Sequence, residues 1–271
     1  MMSMKLASMK SLKANALVVF DLDGTLTPSK APMDREMVRL IQRLLATKKV
    51  AVIGGGKYEL FKLQLLAPLK GSPKELLRNL FLFPTTSTAF YHYDGGWKNV
   101  YTLKLPAATR AKIKRSFKEV FKEAHYVPPQ KTYGPVTEDR GTQVTFSALG
   151  QEIVAILGKK KGGALKERWK KQHTDVKLTM AKLLARRLPG LEVHAAGSTS
   201  IDVTRKGIDK AYGVRQIEKY LHIPVKKMVF IGDALFPGGN DYAAKKSGIR
   251  CIPVRDPEDT KKIIRKLIFK K

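Results

Sequence analysis

Two carboxylates stand one residue apart in the stretch Val18-Val19-Phe20-Asp21-Leu22-Asp23-Gly24-Thr25-Leu26-Thr27. On an extended backbone, residues i and i+2 share a face, so Asp21 and Asp23 can converge on one ligand. Asp21 has the chemistry of a nucleophile that forms an aspartyl-phosphate and of a metal ligand. Asp23 stands where a general acid or base is needed. Gly24 lets the chain turn sharply, and Thr25 offers a hydroxyl to a phosphoryl oxygen. The apolar run before the acids suits a buried central strand. Ligand chemistry in open α/β sheets gathers just past the carboxyl ends of such strands. The bland alternative is a strand closed by an Asp-Gly turn, but the full DLDGTLT after a buried run favours chemistry.

Other polar groups end near strand tips. Val50–Ile53 reads as a second buried strand, followed by Gly54-Gly55-Gly56-Lys57. A Gly-rich turn between strand and helix presents backbone N–H groups to an anion, which makes Gly55, Gly56 and Lys57 phosphate-binding candidates with Gly24 and Thr25. Lys210 opens a later helix, and the apolar Met228–Ile231 ends in Gly232-Asp233, with Asn240-Asp241 beyond. Alone, Lys210 would be a surface charge and Asp233 a turn former. Their order and strand context argue for one assembled site.

Regular elements must carry these groups. Met33 to Ala46 has apolar residues at helical spacing, with Met37, Ile41, Leu44 and Leu45 inward and Asp34 as N-cap. Tyr58 to Leu66 reads as a helix and Leu80 to Phe83 as a strand closed by Pro84. Thr85, Thr86 and Ser87 either face the site or form a turn. A hairpin follows around Asp94-Gly95-Gly96. From about Thr102 the character changes: a basic amphipathic helix over Ala107 to Ala124, a break at Pro128-Pro129, a strand at Thr142–Phe146, a lysine-rich stretch, a helix over Val176 to Leu188, and strands at Leu191–Ala195 and Ser200–Val203. Irregular mixing of this kind predicts an α+β insert. Regular alternation then resumes with a helix from Asp209-Lys210 to Leu221, the strand Met228–Ile231, a helix from Asn240-Asp241, a strand at Ile249–Val254 and a helix over Pro257 to Ile268. The expected fold is α/β: a doubly wound parallel-sheet core over 1–101 and 208–271, with the α+β domain inserted over 102–207.

Composition excludes several classes. The hydrophobic fraction is 43%, and no apolar run approaches the roughly 20 residues that span a bilayer. Cys251 is the single cysteine, so no internal disulfide forms and a reducing, cytoplasmic setting is expected. The start, MMSMKLASMKSLKAN, lacks an apolar core of signal-peptide length and reads as a frayed leader, with a transit peptide as the alternative. Lys+Arg number 52 against 23 Asp+Glu, a net charge of +29. The basic residues are dispersed, with local runs at Lys159–Lys161, Lys170-Lys171 and Lys261–Lys271, and no nucleic-acid-binding signature accompanies them. Nonspecific adhesion to polyanions at low salt is the expectation, not specific nucleic-acid binding. The oligomeric state stays open.

The DLDGT stretch, Arg140 in EDRGTQVTFSALGQ, TSIDVTRKGIDKAYG and IGDALFPGGND together resemble the haloacid dehalogenase (HAD) superfamily. Within it they look like the eukaryotic phosphomannomutases and related subfamily IIB phosphatases. The resemblance implies a Rossmann-like HAD core, a cap domain for the insert, and a small phosphorylated substrate. It implies a catalytic set of Asp21, Asp23 and Lys210. It also implies Mg2+, whose preference for oxygen ligands suits Asp21, the Asp23 carbonyl and Asp233, with Asp241 holding the outer shell or a water. In the cap, Arg140 would grip a remote phosphate, and Ser200 and Asp202 would bind sugar hydroxyls.

Two departures bear on activity. Gly54 stands where HAD relatives usually place Ser or Thr, so Gly54→Ser is expected to raise turnover. That expectation places ordinary strand dihedrals at Gly54 and positive φ at Gly55 or Gly56. Gln151 follows Gly150 where phosphomannomutases have Arg. The expected function is a Mg2+-dependent phosphohydrolase acting on a phosphorylated sugar or similar metabolite through an aspartyl-phosphate. The alternatives are a phosphomannomutase and a non-catalytic polyanion-binding protein on a HAD scaffold.

Overall fold

The first strand pairs with neighbours on both sides, and that placement organises the larger sheet. The computed structural model describes residues 16–268. The leader read at residues 1–15 and the last three residues of the terminal basic run lie outside the described residues. Seven strands form one sheet: β1 (Leu17–Asp21), β2 (Lys49–Ile53), β3 (Leu80–Phe83), β4 (Ala89–Tyr93), β5 (Trp97–Thr102), β10 (Met228–Gly232) and β11 (Arg250–Pro253), in the order β11-β10-β1-β2-β3-β4-β5. The five strands from β11 to β3 run parallel, and β4 pairs antiparallel with β3.

Strand side chains alternate between faces, and the core divides accordingly. Val18, Phe20, Val50, Val52, Leu80, Leu82, Val229 and Ile231 pack on one face with α1 (Arg35–Leu45) and α6 (Pro257–Ile268). Leu17, Val19, Ala51, Ile53, Phe81, Phe83, Met228 and Phe230 pack on the other with α5 (Lys210–Leu221). Both faces are covered, which is why these strands read as continuous apolar runs. In α1 the Asp34 side chain accepts from Met37 N, and Met37, Ile41, Leu44 and Leu45 are buried.

Register brings the chemistry to one sheet edge. Asp21 lies beside Ile53, Ile53 beside Phe83, and Phe20 beside Ile231. The residues that follow these strands, Gly54, Pro84 and Asp233, therefore emerge together with Asp21.

A second compact unit comprises Thr102–Asp209 with Gly238–Asn240; the first comprises residues 16–101, Lys210–Pro237 and 241–268. The second unit carries α3 (Ala107–Glu123), α4 (Ile153–Arg187) and an antiparallel sheet of β6 (Thr137–Asp139), β7 (Gln143–Ser147), β8 (Leu191–Ala196) and β9 (Ser200–Arg205), in the order β6-β7-β9-β8. Val144, Phe146, Ile201 and Val203 on one sheet face join Ile113, Phe117, Trp169, Met180 and Leu184 of the helices in its core.

Several local expectations change. The lysine-rich stretch before Val176 is helical, so α4 extends from Ile153 with breaks at Gly158 and His173; a helix polar on most sides resembles a loop in sequence. The helix expected over Tyr58–Leu66 is α only to Phe61, the end of α2 (Tyr58–Phe61), and Lys62–Leu66 forms a π-turn in which Ala67 N donates to Lys62 O at 2.7 Å. A 3-10 helix, Tyr242–Ser247, replaces the helix expected from Asn240-Asp241. No described helix is long and apolar enough to cross a membrane.

Candidate active site

Asp21 ends β1, and its carboxylate is almost fully buried. Asp233 follows β10, and Asp241 lies beyond it, 0% exposed. One oxygen from each of Asp21, Asp233 and Asp241 lies within 4.8 Å of the others. Lys210, the first residue of α5 and 1% exposed, donates to Asp21 Oδ1 and Asp241 Oδ1. Its ammonium also stands 5.6 Å from the centre of the Phe230 ring. Burial raises the Asp21 carboxyl well above its ordinary range; Lys210 opposes the shift, and Asp241 and Asp233 add to it. Asp233 is raised for the same first reason, burial, with Asp241 next. For Lys210, burial favours the neutral amine, but Asp21 and Asp241 outweigh it and the pKa rises.

Two glycines make room for these acids. Gly24 has φ +89°, and a Cβ there would lie 2.6 Å from Asp233 Oδ2. A Cβ on Gly232 would lie 2.3 Å from Asp241 Oδ2, the oxygen that accepts from Ala234 N at 2.8 Å. The Thr25 hydroxyl does not stand open for a phosphoryl oxygen: it donates to Asp233 Oδ1 at 3.0 Å and accepts from Asp233 N at 3.1 Å. Thr25 is fully buried, and its task here is to orient Asp233.

Asp23 is half-buried and its carboxylate stands outside the three-acid cluster. Lys30 N donates to its Oδ1 at 2.6 Å, and Gln64 Nε2 donates to the same oxygen at 2.8 Å. Its main-chain carbonyl remains the group proposed for a metal. Asp241, expected to hold the outer shell or a water, stands close to Asp21 and Asp233, and its two oxygens accept from Lys210 and from Ala234 N.

The Gly54–Lys57 turn packs against an unusual neighbour. Thr86 N donates to Gly54 O at 2.9 Å and Thr85 N to Gly56 O at 2.8 Å. Positive φ falls at neither Gly55 nor Gly56, but at Thr85 (48°), Thr86 (54°) and Ser87 (70°). Three successive left-handed non-glycine residues store backbone strain beside the Gly54–Lys57 turn. A Cβ on Gly54 would lie 3.1 Å from Phe61 Cζ and 3.2 Å from Leu22 Cβ. The Phe61 ring therefore occupies much of the space a hydroxyl at this position would need. Lys57 is exposed and precedes α2.

In the second unit, Arg140 follows β6. Its Nε donates to Glu138 Oε2 at 2.8 Å and its Nη2 to Gln151 Oε1 at 3.2 Å. Its side chain is only 7% exposed. The guanidinium expected to await a phosphate is thus already paired. Gln151 Nε2 is buried with no hydrogen-bond partner among the described residues. Asp202 lies opposite Thr145, whose hydroxyl donates to it at 2.7 Å, and half-buried Ser200 lies opposite Ser147. Elsewhere in this unit the buried Lys177 Nζ donates to the Gly197 carbonyl at 2.8 Å.

A family profile described as haloacid dehalogenase-like hydrolase matches residues 18–243, spanning β1 to the 3-10 helix beyond Asp241. The chain belongs to the haloacid dehalogenase-like hydrolases. Among its HAD relatives, phosphomannomutase 2 of Dictyostelium discoideum is 28% identical over 96% of this chain and 100% of its own length. The phosphomannomutase of Saccharomyces cerevisiae is 27% identical over 94% and 95%. An IMP-nucleotidase from Plasmodium falciparum with IMP bound, 17% identical, superposes with a TM-score of 0.71 over 97% of this chain and 71% of its own; this likeness speaks for the fold.

The HAD motifs flagged the acids and Lys210, but not Gln64 or the positive φ at Thr85–Ser87. A polar residue inside Phe61–Leu66, at a position otherwise suited to the core, was the available signal for Gln64. Glu138 stands two residues from Arg140 in the same motif, so that pair was open to local reading; positive φ at Thr had no comparable signal, because it depends on distant packing.

Proposed function

We propose that this HAD hydrolase is a Mg2+-dependent phosphohydrolase acting on a phosphorylated sugar or a similar small metabolite. One observation carries the reading: three carboxyl groups and one ammonium are gathered at the carboxyl edge of the sheet, so acidic groups outnumber the cation there. Such a cluster, with acids held above their ordinary pKa, fits a divalent cation bound through oxygen. Asp21, Asp233, Asp241 and the Asp23 carbonyl would hold it. The ion would supply charge neutralisation between Asp21 and the phosphoryl group.

The chain's own residues do the rest. Asp21 attacks phosphorus; a bond forms from its carboxylate oxygen to phosphorus as the ester P–O bond breaks. Asp23 donates a proton to the departing oxygen, then takes one from the water that hydrolyses the aspartyl-phosphate. Lys210 orients Asp21 and offsets its charge. The Gly55–Lys57 turn contributes backbone N–H groups to the phosphoryl oxygens, whereas the Gly24 N–H, also expected there, donates to Thr27 O at 2.7 Å. Ser200 and Asp202 bind hydroxyls of the remainder.

Arg140 favours hydrolysis over mutase action. A second phosphate taking Arg140 would have to compete with its ion pair to Glu138 and its hydrogen bond to Gln151. The relatives' name supports the second reading, a phosphomannomutase using the same aspartyl-phosphate. Phosphate release from a metabolite panel, with and without Mg2+, tests the first; no activity above an Asp21→Asn control would exclude it. Hexose 1-phosphate supplied with a hexose 1,6-bisphosphate separates the two: the mutase reading requires conversion to the 6-phosphate, and the phosphohydrolase reading requires free phosphate.

A further inference from the structure

Gln64 is a fully buried amide between apolar neighbours, Phe61 and Leu65, that are themselves 0% exposed. It sits in the π-turn, a geometry that is rare and frequently found at functional sites. Its Nε2 donates to Asp23 Oδ1 at 2.8 Å and lies 3.4 Å from Ala31 O. Lys30, held at φ 56°, donates its amide to that same Oδ1. Among the described residues, the two hydrogen bonds to the Asp23 side chain thus fall on one oxygen. Met33 N donates to the Gln64 main-chain carbonyl at 2.9 Å, so the segment leading from Asp23 is tied to the same turn.

The amide's other end is unpaired. Gln64 Oε1 is buried without a hydrogen-bond partner among the described residues. Leaving a buried carbonyl unpaired is costly. For packing alone, leucine would serve better at this position. The contact that an amide makes and leucine cannot is the one to Asp23.

We infer that Gln64 is a positioning residue that holds Asp23 by Oδ1 and so presents Oδ2 as the atom exchanging the proton with the leaving oxygen. The inference rests on the phosphohydrolase reading. Proton donation matters most when the departing oxygen is strongly basic. Loss of the Gln64 contact should therefore penalise poor leaving groups selectively. A purely structural role would penalise all esters alike.

The test compares kcat/KM, which reports steps through formation of the aspartyl-phosphate, for an alkyl phosphate and for p-nitrophenyl phosphate. For Gln64→Met, the alkyl ester should lose about 10- to 100-fold and the aryl ester less than about threefold, within the range of general acid catalysis. Gln64→Glu, which keeps the shape and sets a carboxylate against Asp23, should show the same selectivity, and it carries the test if the Met variant does not fold. On an Asp23→Asn background, Gln64→Met should change the alkyl rate less than about twofold, since the two residues act as one unit. Equal losses on both esters, unchanged rates, or additive losses in the double variant would overturn the inference while leaving the phosphohydrolase standing. No turnover of either ester by the wild type above the Asp21→Asn background would overturn both.

Discussion

Lys210 is the only cation paired within the acidic cluster, among the described residues, and its removal exposes the repulsion it offsets. Lys210→Met should destabilise the metal-free protein by about 3–5 kcal/mol, the cost of leaving buried charges unpaired. Mg2+ should recover more stability in this variant than in the wild type, because more negative charge then awaits it. Melting temperatures with and without MgCl2 check this; equal Mg2+ shifts in both proteins would contradict it. The sign of the pH effect follows from Asp21. Its folded pKa is raised, so the stability it contributes is present at acid pH and is lost as pH climbs through that folded pKa. Gly54 answers differently from the sequence expectation. Gly54→Ser must push the Phe61 ring or Leu22, so it should cost about 1–3 kcal/mol without raising kcat. Combining it with Phe61→Leu should relieve the strain. Denaturant midpoints and kcat for the two proteins decide it.

At the scale of elements, α5 reaches the site only by pressing close to the left-handed turn. A Cβ on Gly213 would lie 2.2 Å from Ser87 Oγ and 2.8 Å from Ile53 Cδ1. Gly213→Ala should therefore tilt α5, move Lys210 and lower both stability and turnover, the stability by about 1–3 kcal/mol. Ser87 Oγ has no hydrogen-bond partner among the described residues, and Ser87 has φ 70°, so Ser87→Gly removes an obstacle and a strained backbone at once. The double variant should regain part of both losses, read as Tm and kcat; an additive loss would show that the contact is not the cause. In the second unit, burial, with Lys170 adding, pushes Lys177 down to about 8, against partial opposition from Glu167 and Asp202. The unfolded amine titrates near 10.5. The unfolded state thus binds more protons between these values, and stability from this group rises with pH across that window, by about 1–3 kcal/mol. Denaturant titrations at pH 7.5 and 10 should show this gain in the wild type and its absence in Lys177→Met.

For the molecule as a whole, the net charge of +29 is spread along the chain and is not confined to one segment. Lysines on α4 such as Lys160, Lys161, Lys170 and Lys171 are exposed, and so are Lys62, Lys112, Lys118 and Lys226 of other elements. A charge distributed in this way binds polyanions by counterion release, without a dedicated docking surface. Wild type and Asp21→Asn should elute from heparin at the same salt concentration, and substitution of any single exposed lysine should move that concentration only slightly. A large shift on losing one lysine would reveal a localised site instead.

The sequence alone determined the alternating core and the acids at its strand tips. Apolar runs of strand length, helical spacing in Met37–Leu45 and the Asp-x-Asp-Gly-Thr turn are local patterns, and local patterns survive in one dimension. The family to which the chain belongs was legible for the same reason. Tertiary structure decided what each polar group is free to do. Thr25 was read as a phosphate ligand, yet Asp233, more than two hundred residues away, takes its hydroxyl. Arg140 was read as the grip for a remote phosphate, yet Glu138 and Gln151 engage it. The strain assigned to Gly55 or Gly56 lies at Thr85–Ser87, because hydrogen bonds to the facing turn and packing against α5 over-determine the backbone there. Gln64 became visible only when the π-turn carried it to Asp23. Residue type records what a side chain can bond; only the folded chain decides which partner arrives first, since burial leaves each donor and acceptor few choices.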